Sequence, residues 1–212
     1  MGKASAYDIN ERDIRGVRIY RGGIAVSAMA FVMVTLLLLF TQAWGNPDAS
    51  LWIAHHGVLL LFAVWMIVLG TGTSVLTIHL YIPQFHLLLK ILFGIGAAAV
   101  MVFLAVGFFS GRGFLQILYQ TPYGTFGFGF VLAALCGITV KEAFCFGMPE
   151  AIFFAVVTPV LVLGHIFDAF RPLTGLSLLC ADTLLFCIFA VRKVTMPEDL
   201  DVGDKSVYMH KT

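Results

Sequence analysis

Polar residues along this chain retreat into short gaps between long apolar runs. Crossing about 30 Å of hydrocarbon at about 1.5 Å per residue takes roughly 20 apolar residues, and six runs come close to that length. They extend from Gly22 to Phe40, Val58 to Ile78, Leu87 to Phe109, Phe126 to Val140, Glu150 to Phe170 and Leu173 to Val191. None alternates with period 2. Backbone polar groups must be satisfied inside lipid, so the pattern predicts helices rather than barrel strands. The expected fold is an all-α membrane protein, a six-transmembrane-helix bundle over residues 22–192. A basic segment, 1–21, precedes it and a tail, 193–212, follows.

Composition agrees. Charged residues make up 12% of the chain and apolar ones 60%, against about 25% and 45–50% in ordinary soluble domains. The net charge of +1 gives no general attraction to nucleic acid. Charge placement adds an orientation. Lys3, Arg12, Arg15, Arg18 and Arg21 precede the first run, and Arg192, Lys193, Lys205 and Lys211 follow the last, whereas the opposite loops hold Arg112 and Arg171. The positive-inside rule then puts both termini in the cytoplasm. Trp44, Trp52, Tyr119 and Tyr123 fall at outer span ends, where amphipathic rings are favoured. Cys136, Cys145, Cys180 and Cys187 show no CxxC spacing and imply neither a disulfide framework nor a zinc knuckle. No internal repeat is evident in the sequence. Gly70, Thr73, Ser74 and Thr77 make a small-residue stripe suited to close helix approach.

Candidate chemistry lies in the few ionisable residues of the runs. A carboxyl near mid-span costs about 2.5–3.5 kcal/mol on insertion scales, so it faces a partner or a wet cavity. Asp182 is so placed, either as a proton or cation relay or as a carboxyl tied to a neighbouring hydroxyl. In the fifth run Glu150, Thr158, His165 and Asp168 fall within about 80° of helical arc, a polar stripe beside Pro159, which removes a backbone hydrogen bond. His165 with Asp168 is a candidate metal pair. His165, His55 and His56 share the outer level, where they could hold a haem or a pigment. At the inner level, the stretch GITVKEAFCFGMPEAIFF (137–154) places Lys141, Glu142 and Cys145 before Glu150, together with His79, His86 and Lys90. Gly147 and Pro149 read as a helix end and a helix start, which makes the stretch a hinge. Its functional reading is an acidic or metal-binding mouth of Glu142, Cys145 and Glu150. Thr158, Asp182, Cys145 and Lys141 are the expected polar interior.

Tyr20-Arg21-Gly22-Gly23, Lys141-Glu142-Ala143-Phe144-Cys145-Phe146, Leu163-Gly164-His165, Arg192-Lys193 and the tail from Asp201 to Tyr208 together resemble a family of predicted integral membrane proteins. That family is a domain of unknown function found mainly in cyanobacteria, with relatives in other bacteria. The resemblance spans nearly the whole chain, apart from the outer segment Ser110 to Thr125. It implies six spans and an energy-transducing membrane, either the bacterial inner membrane or an intracytoplasmic, thylakoid-type one. It implies no activity.

The preferred reading of the sequence is a non-enzymatic accessory or assembly subunit of a larger membrane complex, carrying pigment or haem and contacting other membrane subunits. The alternatives are a small-solute or proton-coupled transporter using Asp182, and an intramembrane metal enzyme with His165 and Asp168, or Glu142 and Glu150, as ligands.

Overall fold

The computed structural model describes residues 11–41, 49–78, 82–111 and 113–202. Trp44, His79, Arg112 and the tail beyond residue 202 lie outside them. The described residues form helices joined by short corners, with no strand among them: α1 Glu11–Thr41, α2 Ala49–Thr77, α3 Pro83–Ser110, α4 Phe114–Gln120, α5 Pro122–Phe146, α6 Pro149–Ile166, α7 Pro172–Thr195 and α8 Asp199–Val202. Six are long and apolar enough to cross a membrane: α1, α2, α3, α5, α6 and α7. Each matches one predicted run, so the start of α1 and the end of α7 lie at the same end of the bundle.

The helices are punctuated by their caps. Proline occupies the first turn of α3, α5, α6 and α7, where its missing N–H costs nothing. Between α5 and α6 the expected hinge is present. Gly147 adopts φ 62° as the C-terminal cap of α5, a conformation that suits glycine, and Pro149 starts α6 two residues later. The outer segment that the sequence left blank contains α4. Its corner with α5 is closed by Thr121 Oγ1, which accepts from Gly124 N at 3.1 Å, and by Thr125 Oγ1, which donates to the Leu118 carbonyl at 3.1 Å.

Several boundaries differ from expectation: α1 starts at Glu11 and α2 at Ala49, well before their apolar runs begin at Gly22 and Val58, and α5 continues past Val140 to Phe146. α6 stops at Ile166, four residues before the end of its apolar run, because Asp168 takes a left-handed conformation, φ 49°. Ala169 N donates to Gly164 O at 2.8 Å and Asp168 N to His165 O at 3.3 Å. This is a Schellman-type close on one of the few non-glycine residues that tolerate it. α7 runs on past its apolar core to Thr195 and carries Arg192 and Lys193, expected at the border with the solvated tail, within its last turn.

α1 packs against α2 and α7, α7 against α6, α6 against α5, and α5 against α2. These five helices close a ring, while α3 lies outside it against α5 and is the least buried of the six spans. Between helices in lipid there is no hydrophobic driving force, so close packing and hydrogen bonds decide association. The α1–α2 contact shows this. A Cβ on Gly23 would come within 2.4 Å of the Gly70 carbonyl oxygen, and one on Gly70 within 2.6 Å of the Gly23 carbonyl. Ser74 Oγ donates to the Tyr20 carbonyl at 3.0 Å across the same contact. Replacing Gly70 by Ala is expected to push the helices apart and to cost about 1–3 kcal/mol, read as a lower midpoint of thermal unfolding in detergent.

Candidate functional site

One face of α7 organises the interior. Asp182, Phe186, Phe189 and Lys193 follow at i, i+4, i+7 and i+11, within about 60° of arc, and none of the four has measurable exposure. Along this stripe the bundle changes from a lone carboxyl at mid-depth, through an aromatic layer, to an ionic cluster at the end bearing the termini.

Asp182 is about 16 Å from Lys193 along the helix. Thr158 of α6 donates its hydroxyl to Asp182 Oδ2 at 2.9 Å, and Cys136 of α5 lines the same pocket as Thr158. Among the described residues Asp182 Oδ1 has no hydrogen-bond partner. Beside it Thr183 shares a hydrogen bond of 2.7 Å with Thr35 of α1. The acid is thus anchored to α6, and its neighbour to α1. Pro159 lies in α6 next to Thr158 and leaves the Ala155 carbonyl without its helical donor.

Below this level the rings of Phe154 and Phe186 stack with centroids 4.4 Å apart, and Phe186 stacks on Phe189 at 6.0 Å. Phe31 meets Phe186 and Phe154 edge-on at 5.1 and 5.6 Å. This layer separates the Asp182 level from the cluster beneath it.

The cluster is built around Lys193. Its ammonium donates to Glu142 Oε2 and to Asp201 Oδ1 and sits 4.2 Å from the centroid of the Phe146 ring, a favourable cation–π geometry. Glu142 Oε1 accepts from Tyr20 Oη at 2.6 Å and from Lys141 Nζ at 2.8 Å. Asp201 in α8 accepts from Arg21 Nε at 2.7 Å. Arg21 also donates to the carbonyls of Met196 and Pro197, the latter at 2.9 Å. Arg21, Lys141 and Lys193 outnumber Glu142 and Asp201 by one cation. The negative end of the α7 dipole, with the carbonyls that Arg21 caps, offsets that excess. At the rim Arg192 holds both oxygens of Glu150 at 2.7 and 2.8 Å. Arg18 bonds Glu198 at 2.8 and 3.2 Å, and that hydrogen bond keeps the Glu198 carboxyl below the usual glutamate range.

The structure thus joins some sequence candidates and separates others. Thr158 meets Asp182, and Lys141 meets Glu142, in the interior. Cys145, one turn beyond Glu142 near the end of α5, is exposed and so is not part of the polar interior. The mouth of Glu142, Cys145 and Glu150 does not form, because each carboxylate has its own cation. The stripe on α6 holds from Glu150 through Thr158 to half-buried His165, but Asp168 lies beyond the helix end, exposed, and serves as the cap residue. The two metal pairs suggested by the sequence stand at opposite ends of α6, about 22 Å apart along the helix. Among the described residues no group of three His, Cys, Asp or Glu side chains is placed to hold a metal. His165 Nε2–H donates to the Tyr119 carbonyl at 2.9 Å and His56 Nδ1–H to the Trp52 carbonyl at 3.0 Å. His55 packs against the His56 ring.

Sequence reasoning missed Lys193, Asp201, Arg21 and Tyr20 as site residues. Two signals were present: the i, i+4, i+7, i+11 spacing on α7, and the segments that carry the family resemblance. Tyr20-Arg21, Lys141-Glu142, Lys193 and Asp201 are far apart in sequence and meet in this one cluster, whereas Arg192 turns to Glu150 at the rim.

Residues 73–210 match a family described as "Uncharacterized integral membrane protein (DUF2301)". An uncharacterized protein of Haemophilus influenzae is 26% identical over 200 residues, which cover 92% of this chain and 91% of that protein. No solved structure matches.

Removing one member of a buried ion group strands its partners, so Lys193→Met is expected to cost about 3–5 kcal/mol. Adding Glu142→Gln should recover at least about 1 kcal/mol in a double-mutant cycle. Glu198 provides a contrast in sign and size. Its lowered pKa means that its contribution is fully present above the unfolded value and is lost as pH falls through the lowered folded one. Hydrogen exchange of residues 196–202 should therefore stay protected at pH values where an ordinary glutamate is already half protonated, and rise below them.

Proposed function

The chain belongs to the DUF2301 family of uncharacterized integral membrane proteins, of a build consistent with a bacterial inner or internal membrane, and we propose that it is a proton-coupled carrier of a small solute. The observation that carries the reading is Asp182: fully buried at mid-depth, bonded through one oxygen to Thr158, with the other oxygen unpartnered. A carboxyl left in that state needs a proton or a counter-cation. Its only described hydrogen-bond donor, Thr158, is on a proline-bearing helix, where a modest shift of α6 against α7 would change the partner set. In this reading Asp182 takes up and releases the coupling proton, and the aromatic layer and the Lys193 cluster close the path toward the termini. With the termini cytoplasmic, as the basic residues of the two ends favour, that closed side is the cytoplasmic one.

The order of packing supports the reading. The pairs α1–α2, α2–α3 and α3–α5 correspond to α5–α6, α6–α7 and α7–α1 when the first three spans are exchanged for the last three, which run in the opposite direction. Among the described residues the α2–α5 contact has no counterpart of similar extent. Opposed three-helix halves with the coupling site at the midplane are a common carrier design.

The accessory-subunit reading has its own observation. α3 presents Leu87, Ile91, Ile95, Val102 and Val106 outward, a face for lipid or for another membrane subunit.

The two separate in proteoliposomes loaded with a pH-sensitive dye and challenged with a panel of small solutes. Solute-dependent proton movement that is lost in Asp182→Asn, reduced at least about tenfold in Thr158→Val and retained in Cys145→Ser is the expected result. Proton movement unchanged by Asp182→Asn, or stoichiometric co-purification of other membrane proteins with no such movement, would favour the subunit.

A further inference from the structure

We infer that the solute is a small apolar molecule, held in the cavity that α4 roofs; this identification of the substrate class rests on the carrier reading above. The cavity measures about 230 Å³ and is walled by five helices, with Phe31 from α1, Trp52 and Ala63 from α2, Tyr119 from α4, Leu132 from α5 and Leu179 from α7. Much of its wall belongs to the interior of the bundle, since Phe31, Leu38, Ile53, Ala63, Ile67 and Leu118 are all buried.

The chemistry of the wall selects the occupant. Trp52 Nε1–H is committed to Thr41 Oγ1 at 2.8 Å, and the Thr125 hydroxyl to the Leu118 carbonyl. Apart from the phenol of Tyr119 at the roof end, the lining side chains are hydrocarbon or aromatic. A sugar, amino acid or nucleotide would bring several polar groups into this space without partners, at about 1–3 kcal/mol each. A hydrocarbon or aromatic body has no such cost. An apolar cavity of about 150 Å³ stays dry and takes benzene, so this one has room for a substituted ring or a small bicyclic compound.

Position links the cavity to Asp182. Leu179 lies one turn before Asp182 on α7. Val34 and Leu38 in the wall flank Thr35, which is bonded to Thr183. Phe31 forms the deep end and is also part of the aromatic layer against Phe154 and Phe186. An occupant therefore touches Phe31 of the aromatic layer that closes the path below the acid and lies one helical turn from Asp182 along α7, although no polar group of the solute need reach the carboxyl.

The probe for the test is the photoreactive 3-trifluoromethyl-3-phenyldiazirine, applied to the full chain in lipid nanodiscs, with labelled peptides identified by mass spectrometry. Labelling of the α4 peptide and of the α2 segment from Trp52 to Ile67 is expected to saturate with probe concentration, whereas labelling of α3 rises linearly, as for a lipid-facing surface. Ala63→Phe, which fills the cavity, should lower the saturable labelling at least about tenfold while leaving α3 labelling unchanged. Leu179→Phe provides the same test from another helix if the first variant does not fold. Non-saturating labelling of α4 and α2, equal in the filled variants, would overturn the inference. So would a stoichiometric acyl lipid, seen by native mass spectrometry, that the probe does not displace. Asp182→Asn separates this inference from the carrier reading. Saturable labelling without any Asp182-dependent proton movement would overturn transport and leave the apolar site standing. Asp182-dependent proton movement without saturable labelling would overturn the substrate class alone.

Discussion

A lysine ammonium shut away from solvent persists only where carboxylates and rings replace its water, and Lys193 has both: Glu142 from α5, Asp201 from α8 and the Phe146 ring. Through Glu142 the same charge reaches Tyr20 of α1, and through Asp201 it reaches Arg21. Four elements are therefore tied at one end of the bundle by a single buried cation. Burying separated charges would be prohibitive, whereas burying them as one bonded group with aromatic faces is tolerable. Every member must then be in place together, which fixes how α1, α5 and α7 meet and why the chain after α7 folds back as α8 instead of leaving the bundle.

The stripe on α7 extends that constraint inward. Once Lys193 is held, Phe189, Phe186 and Asp182 must lie on the same side of the helix, because 3.6 residues per turn leaves them no other face. The aromatic layer then fills the space between two polar levels that differ in kind. At the ionic end every charge is partnered. At mid-depth Asp182 retains one bare oxygen and one hydroxyl bond. That asymmetry, a saturated cluster beside an unsaturated acid, is what the proposed carrier reading rests on, with Asp182 as the coupling site and the cluster as its closure.

Much of this was legible in advance, for reasons that can be named residue by residue. Apolar runs mark spans because lipid permits only long, self-satisfied helices, and all six were found, with the hinge at Gly147 and Pro149. Asp182 and Thr158 stood out as polar residues in such runs. The errors came where a local pattern was extended past its range. Asp168 was placed on the α6 stripe by assuming that the helix continued, but its left-handed cap ends the helix two residues earlier. Cys145 follows Glu142 by three residues yet is exposed, since it lies in the last turn of α5, two residues before the Gly147 cap. Lys193, next to Arg192 in a basic pair, reads as solvated, but the two point in different directions, one to the core and the other to Glu150 at the rim.

By itself the sequence determined the membrane, the number of spans, their helical nature and the short list of polar residues inside them. These follow from hydropathy and backbone satisfaction, which act over one run at a time. Only the tertiary structure decided that Tyr20, Arg21, Lys141, Glu142, Lys193 and Asp201 form one cluster, that Asp182 meets Thr158 and keeps one oxygen without a partner among the described residues, and that an apolar cavity lies beneath α4. The partner of a buried charge is set by which helices close the ring and in what rotation. That choice depends on glycine-to-carbonyl contacts, hydrogen bonds and ion pairs between residues up to 180 positions apart, which no local pattern in the chain encodes.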